Sequence, residues 1–311
     1  MFCIVSFVVL SILGIFSASN RRLAREALDC VFRRLTLRPC NTGFDEKMKA
    51  KILGVVITRS ERAAAFLNKR FEVLAWIFFV ILMASSIYSV RGLYLFYTTG
   101  SCEGLNSPNF CVFDPTGANN EISSSGVCKA NQESQAPLSI DGLDLSSFPE
   151  RNPDSPDQIV MIACYHCEYS RKTYPLVDSL AERYGANFVF LHYPVKEPTD
   201  YFSRLGYCVY QADPVKFWDF NDAMFSGEKE QLDDPAYIQT MLTGLGLDAF
   251  GIDNCTNSLQ TRQAVDAQLK EVVKSGFYGT PTVFIGDQAL VGPKPYRVYA
   301  IALKGLLYWL R

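Results

Sequence analysis

Two cysteines, Cys164 and Cys167, stand between a short apolar run and a stretch of helical periodicity. The run Gln158–Ala163 (QIVMIA) predicts a buried strand. The following stretch, up to about Gly185, spaces its apolar residues three or four positions apart and predicts a helix. This order places Cys164 at a helix N-terminus, where unpaired N–H groups and the helix dipole stabilise a thiolate. The feature therefore predicts a reactive dithiol between a strand and a helix.

Three interpretations of the cysteine pair compete. A metal site needs further ligands, yet the sequence has no second C-x-x-C and only two histidines, His166 and His192. A structural disulfide between positions i and i+3 is geometrically awkward. A redox dithiol needs nothing more, because a lowered pKa makes Cys164 both a nucleophile and a good leaving group. Cys167 would then close the disulfide, and we favour this interpretation.

A second motif, Gly279-Thr280-Pro281-Thr282, opens a short apolar strand near the end of the chain. A proline is tolerated at the start of a strand because it cannot donate to the ladder. If the Thr280–Pro281 bond is cis, it turns the Thr280 backbone toward the dithiol. An ordinary turn is the alternative.

The segment around these two motifs has the pattern of an α/β domain. The sequence NFVFLHYPV (187–195) predicts a second buried strand, and residues 199–276 predict four or five helices without a strand. Two short strands, PTVFI and QALVG, are joined across Gly286-Asp287, which suits a tight hairpin. A helix closes the chain. His192, which follows the second strand, is interpreted as a structural histidine.

The combination of these features resembles the DsbA-like branch of the thioredoxin superfamily over about residues 138–311. The segment YQADPVKFWDFNDAMF (Tyr210–Phe225) is also similar to the helical insert of those proteins. The resemblance implies an α/β thioredoxin fold with a helical insertion at about 199–276. It also implies disulfide exchange with cysteine-containing exported proteins, with no organic cofactor and no metal, because the Cys164–Cys167 disulfide is the redox group.

The resemblance carries residue roles onto the motifs. Cys164 is the nucleophile, Cys167 the resolving thiol and His166 the tuning residue. Thr280 and Pro281 form the substrate-docking loop. Tyr165 completes the catalytic motif but departs from the proline of the best-known oxidase, so the redox poise is open.

The remaining cysteines raise separate questions, and ten in one chain indicate that part of it meets an oxidising compartment. Related insertions often carry a disulfide, which implies Cys208–Cys255; two buried free thiols are the alternative. Cys102, Cys111 and Cys128 form an odd set. They either include a loop-closing Cys102–Cys111 bond or form a relay that passes electrons from Cys167 toward a membrane partner.

Two uncharged runs near the start of the chain approach the roughly 20 residues that cross a bilayer as a helix. They predict membrane helices at about 2–19 and 73–97. Between them, residues 20–72 carry 13 Lys and Arg against 6 Asp and Glu, which predicts a cytosolic loop. A cleaved signal peptide is the alternative for the first run, although its positive charge follows the apolar stretch instead of preceding it.

These features divide the chain into a membrane anchor (1–98), an extracytoplasmic linker (99–137) and the DsbA-like domain (138–311). Cys30 and Cys40, in the basic loop, are expected to stay reduced. The net charge of −2 argues against nucleic acid. The expected partners are exported proteins, membrane lipid around the two helices and a membrane protein that reoxidises the dithiol. The alternatives are a reductase or isomerase with the same site, or a membrane-tethered binding or metal-delivery module.

Overall fold

The computed structural model describes residues 18–36, 49–50, 53–54, 56–58, 60–119, 128–129, 137–195 and 199–310. The chain divides into two compact units, residues 1–91 and 92–311. The first predicted membrane helix, 2–19, lies outside the described residues apart from its last two, and Cys40 lies outside them as well.

The first unit contains helix α1 (Ala18–Leu35) and most of helix α2 (Glu61–Thr99). Ala24, Ala27 and Cys30 recur at helical spacing and form the buried face of α1. Cys30 is disulfide-bonded, so the prediction that it stays reduced is wrong. That prediction considered only the compartment and not the buried face that holds this sulfur.

Helix α2 contains the membrane-spanning candidate of the described residues, Val73–Thr99. Its 27 residues include an 18-residue stretch with a mean hydropathy of 2.2, and no residue of that stretch is buried inside the protein. At 1.5 Å per residue the segment is roughly 40 Å long, against about 30 Å for the hydrocarbon core of a bilayer. By length and composition it can cross a membrane. The span at 2–19 stays a prediction.

The second unit is built on a mixed five-stranded sheet whose order is β2-β4-β3-β6-β7. Strand β3 pairs in parallel with β4 and antiparallel with β6. The hairpin between β6 and β7 turns at Gly286, whose positive φ of 54° suits glycine. A separate short strand, β1, pairs with β5. The strands are β1 (Cys128–Lys129), β2 (Glu150–Arg151), β3 (Gln158–Ala163), β4 (Asn187–His192), β5 (Gly279–Thr280), β6 (Thr282–Ile285) and β7 (Gln288–Val291).

Alternation along β3 separates two apolar clusters, one on each face of the sheet. Ile159, Met161 and Ala163 face one cluster, whereas Val160 and Ile162 face the other. Five helices, α4 to α8, form the insertion between β4 and β5. The helices are α3 (Glu168–Tyr184), α4 (Asp200–Ala212), α5 (Lys216–Ser226), α6 (Pro235–Gly244), α7 (Ala249–Asn257), α8 (Leu259–Val273) and α9 (Tyr296–Lys304).

Residues 99–119, predicted as part of an irregular linker, form a cross-linked segment that packs on the sheet. A Cys102–Cys111 disulfide closes it. The Asn106 amide donates to the carbonyl oxygen of Ala289 over 2.6 Å and accepts from the Val291 N–H over 3.0 Å. The segment therefore belongs to the second unit, while the predicted bounds 1–98, 99–137 and 138–311 stay predictions.

Candidate active site

The dithiol lies where strand β3 passes into helix α3. Cys164 follows the strand, and Cys167 is the N-cap residue of the helix. The Cys167 N–H donates to the Cys164 carbonyl oxygen over 3.0 Å, which closes the turn between them. The prediction that Cys164 occupies the helix N-terminus is therefore wrong, because the helix begins only at Glu168. Both cysteines are thiols and fully buried.

Tyr165 explains why the turn runs inward. Its side chain is fully buried, and its hydroxyl donates to Oδ1 of Asn221 on α5 over 2.7 Å. The ring stacks on His192 with centroids 4.6 Å apart and contacts Phe225 at 4.9 Å. Burial raises the pKa of Tyr165 well above its usual value, so the phenol stays a neutral donor. Tyr165 therefore anchors the active-site turn in the core.

The side chain of His166 also contacts the helical insertion. Its Nε2 lies 2.9 Å from Oδ1 of Asp233, and its ring stacks on Phe202 at 5.0 Å. Its backbone N–H donates to the sulfur of Cys164. The main chain of His166 therefore acts directly on Cys164, whereas its imidazole faces an acidic partner.

The sulfur of Cys164 is subject to two opposing effects. Burial is the larger one and raises the pKa of the Cys164 thiol. Hydrogen bonds from the backbone N–H groups of His166 and Val195 and from the Thr199 hydroxyl lower it. The expectation of a lowered pKa at Cys164 is therefore wrong, because burial outweighs the donors. Those donors nevertheless stabilise a thiolate once it forms.

Cys167 has the opposite balance. A hydrogen bond from the Cys128 side chain lowers the pKa of Cys167, and this effect is larger than that of burial, which raises the pKa. The Cys167 thiol also lies 3.3 Å from the carbonyl oxygen of Thr280 and donates to it. Cys128 pairs with Thr280 between β1 and β5, and the Thr280–Pro281 bond is cis. Three thiols and the predicted docking loop therefore lie together.

Arg171, one turn into α3, ties this region to the insertion. Its guanidinium donates to the carbonyl oxygens of Tyr165 (3.1 Å), Met224 (2.8 Å) and Gly227. The side chain therefore fixes the main chain of the active-site turn against the C-terminal end of α5. A basic residue four positions after Cys167 was the sequence signal available for this contact.

Residues 171–304 match the family model of DSBA-like thioredoxin domains. The chain contains a DsbA-like thioredoxin domain. The matched range begins after Cys167 and therefore does not include the dithiol. DsbA-like proteins use a redox-active disulfide instead of an external cofactor, and their domains are typically extracytoplasmic.

Several solved structures are similar to the DsbA-like domain. The catalytic domain of Proteus mirabilis ScsC is 20% identical, with a TM-score of 0.45 over 53% of this chain and 90% of that one. The thiol-disulfide exchange protein α-DsbA2 of Wolbachia pipientis is 20% identical (TM-score 0.46; 51% and 87%). BdbD of Bacillus subtilis is 15% identical (TM-score 0.43; 50% and 89%). Among curated protein sequences, none matches.

Elsewhere in the DsbA-like domain, a disulfide joins Cys208 on α4 to Cys255 on α7, with their Cα atoms 6.0 Å apart. Nδ1 of His192 is hydrogen-bonded to the hydroxyl of Ser203 over 2.7 Å. Burial lowers the pKa of His192 to about 3, and a smaller electrostatic effect of His166 acts in the same direction. The imidazole is therefore neutral at physiological pH. Across the described part of the chain, no group of three or more His, Cys, Asp or Glu residues is arranged to hold a metal ion.

Proposed function

We propose that the DsbA-like domain forms disulfide bonds in exported proteins, with Cys164 and Cys167 as its redox-active pair. The observation that carries this proposal is the position of Cys164 and Cys167 at the turn between β3 and α3, with the sulfur of Cys167 3.3 Å from the carbonyl oxygen of Thr280. Two backbone N–H groups and the Thr199 hydroxyl also donate to the sulfur of Cys164. These donors stabilise the charge that appears on this sulfur whenever it leaves a disulfide.

The exchange has two steps. A substrate thiolate attacks the sulfur of Cys164 in the oxidised pair, the S–S bond breaks, and Cys167 leaves as a thiolate. The Cys128 hydrogen bond favours this leaving group. A second substrate thiolate then attacks the substrate sulfur of the mixed disulfide, and Cys164 leaves. Two electrons pass from the substrate dithiol to the enzyme, and a membrane partner must remove them again.

We infer the location of the DsbA-like domain from the charge of the basic loop and from helix α2. The basic loop before Val73–Thr99 favours a cytosolic position, and the DsbA-like domain follows that span directly. We therefore extend the proposal to a membrane-bound enzyme whose domain faces away from the cytosol. A second span at 2–19 would place the N-terminus on the same side.

A reductase or isomerase is the second candidate, and one observation favours it. Burial raises the pKa of Cys164, which makes its free thiolate less stable. A less stable thiolate makes the reduced form less stable and the disulfide a weaker oxidant. The direction of net exchange therefore depends on whether the three donors or burial dominates when a substrate is bound.

Trapping tests the proposal. In the Cys167→Ser variant the Cys164 thiolate can still attack a disulfide of an exported protein, but no Cys167 thiol is present to displace the bound sulfur. Exported proteins should therefore accumulate on Cys164 and separate under reducing conditions. Cys164→Ser is the matched control and should trap nothing. The trapped substrates are then assayed in cells that lack the protein, where an oxidase leaves them with free thiols. Adducts that form equally on both variants would rule out Cys164 as the nucleophile.

A further inference from the structure

Strand β1 pairs with β5, beside the Thr280 and Pro281 that the family resemblance predicts as the substrate-docking loop. Cys128 pairs with Thr280 and Lys129 with Gly279, in antiparallel register. An extended peptide that adds a strand to an exposed sheet edge is a common mode of recognition. A segment of the chain itself therefore occupies the edge beside the predicted docking residues Thr280 and Pro281.

The side chain of Cys128 is a second feature in which β1 resembles a bound substrate peptide. Its thiol is hydrogen-bonded to the sulfur of Cys167, which in turn donates to the Thr280 carbonyl oxygen over 3.3 Å. Cys164, the other member of the pair, is fully buried. Cys128 thus brings a third thiol to a dithiol that no outside thiol reaches in this arrangement.

Both flanks of β1 are attached to the same domain. On one side, Arg297 on α9 donates to Oδ1 of Asn119 over 3.2 Å. On the other, the Ser139 N–H donates to the Ser275 carbonyl oxygen over 3.1 Å. A thiol held between two such anchors has an effective concentration on the order of millimolar at its target. Exchange with the dithiol is therefore an intramolecular reaction.

We propose that Cys128 is a third redox cysteine, which exchanges with the Cys164–Cys167 disulfide to form a Cys128–Cys167 bond that locks β1 onto the docking edge. This inference rests on the proposed function. The Cys128 thiolate attacks the Cys167 sulfur, the Cys164–Cys167 bond breaks, and Cys164 leaves as a thiolate that takes up a proton. One disulfide replaces another, so no external oxidant or reductant is needed.

The locked form restrains the enzyme. Its docking edge is filled, and Cys164 is a lone thiol that cannot accept electrons from a substrate. A substrate strand that competes for β5 favours the reverse exchange, because Cys128 must leave before that strand can pair with Gly279 and Thr280. The active disulfide is then restored when a substrate is at hand.

Disulfide mapping of the full chain tests the inference. The protein is equilibrated in glutathione buffers of graded potential, alkylated, digested without reduction and analysed by mass spectrometry. The wild type should give a Cys128–Cys167 peptide pair beside the Cys164–Cys167 pair, and Cys164→Ser should give Cys128–Cys167 alone. The matched control is the double variant Cys128→Ser with Lys129→Cys. It moves the thiol by one residue to the opposite face of the strand and should give no link to Cys167.

Turnover of a reduced peptide is measured on the same samples. If the docking edge is locked half of the time, Cys128→Ser should raise kcat/KM about twofold, because the apparent Kd scales with the open fraction. If the wild type turns over the peptide, but neither the wild type nor Cys164→Ser gives a Cys128–Cys167 pair, this inference alone is overturned. A Cys128–Cys167 pair in the wild type, with no turnover even in Cys128→Ser, would instead overturn the proposed function.

Discussion

The hydroxyl of Tyr165 donates a hydrogen bond to Oδ1 of Asn221 over 2.7 Å, between the active-site turn and the helical insertion. The two residues belong to elements that are distant in the chain, so this bond connects the dithiol to the insertion. The residue between the two cysteines is thus a structural anchor, and the position of Cys164 depends on it.

Removal of this hydroxyl should destabilise the domain. Tyr165→Phe leaves Oδ1 of the buried Asn221 without its donor, which costs roughly 1–3 kcal/mol. Chemical unfolding followed by tryptophan fluorescence measures the loss. Tyr169→Phe, at a half-buried position in the first turn of α3, is the control and should change the free energy of unfolding little. Equal stability of the two variants would contradict the anchoring role.

Arg171 should matter for both stability and turnover. Arg171→Gln removes hydrogen bonds to three carbonyl oxygens and should cost roughly 2–3 kcal/mol, because bonds to a charged donor are the stronger class. It should also slow exchange, since the Tyr165 main chain is released. Arg183→Gln, at the exposed end of the same helix, is the control. Turnover that stays at the wild-type rate would show that the turn holds its shape without this contact.

His192 should make the domain sensitive to acid. Its pKa is about 3 when folded and about 6.5 when unfolded, so between these values the unfolded state binds one more proton. Stability is therefore lost as the pH falls from 6.5 toward 3, at about 1.4 kcal/mol per pH unit. From pH 7 to pH 5 the wild type should lose roughly 2 kcal/mol more than His192→Asn, which keeps a partner for Ser203. Parallel pH profiles of the two proteins would rule this out.

Cys128 should control the acidity of Cys167. Cys128→Ala removes the donor with the largest effect and should raise the pKa of Cys167. Thiolate absorbance during a pH titration, together with alkylation of the Cys167 peptide, measures the change. Cys128→Ser keeps a hydroxyl donor and should fall between the wild type and Cys128→Ala. A titration that is the same in all three proteins would show that Cys128 does not donate to Cys167 in solution.

Membrane topology gives the fifth prediction. A reporter enzyme that requires disulfides should be active when fused after the last residue and inactive when inserted in the basic loop at residue 45. This result is expected because the loop's positive charge favours the cytosol. The opposite pattern of activities would reverse the orientation of helix α2.

Much of the fold could be predicted because its signals are local. The strand pattern at Gln158–Ala163, the hairpin at Gly286 and the helical insertion each depend on neighbouring residues. The position of Cys164 could not, because it depends on a bond between Tyr165 and a residue on α5. Helix and dipole rules predicted a lowered pKa at Cys164, whereas burial, a property of the packed domain, decides its direction.

The position of Cys128 beside Cys167 could not be predicted from the sequence. The pairing of β1 with β5 joins positions far apart in the chain, through two residues without a recognisable strand pattern. The sequence indicated only that one cysteine of the linker set lacked an obvious partner. The structure supplies the neighbour, whereas the relay toward a membrane partner stays a prediction.

Asn106 has a consequence for anyone who isolates the catalytic domain. Its amide satisfies the outward carbonyl of Ala289 and the outward N–H of Val291, on the last strand of the sheet. Open strand edges recruit other chains and promote aggregation. A protein shortened to residues 138–311 would lose this cover, and two copies could join edge to edge through β7. We therefore expect the segment 99–119 to limit self-association of the domain.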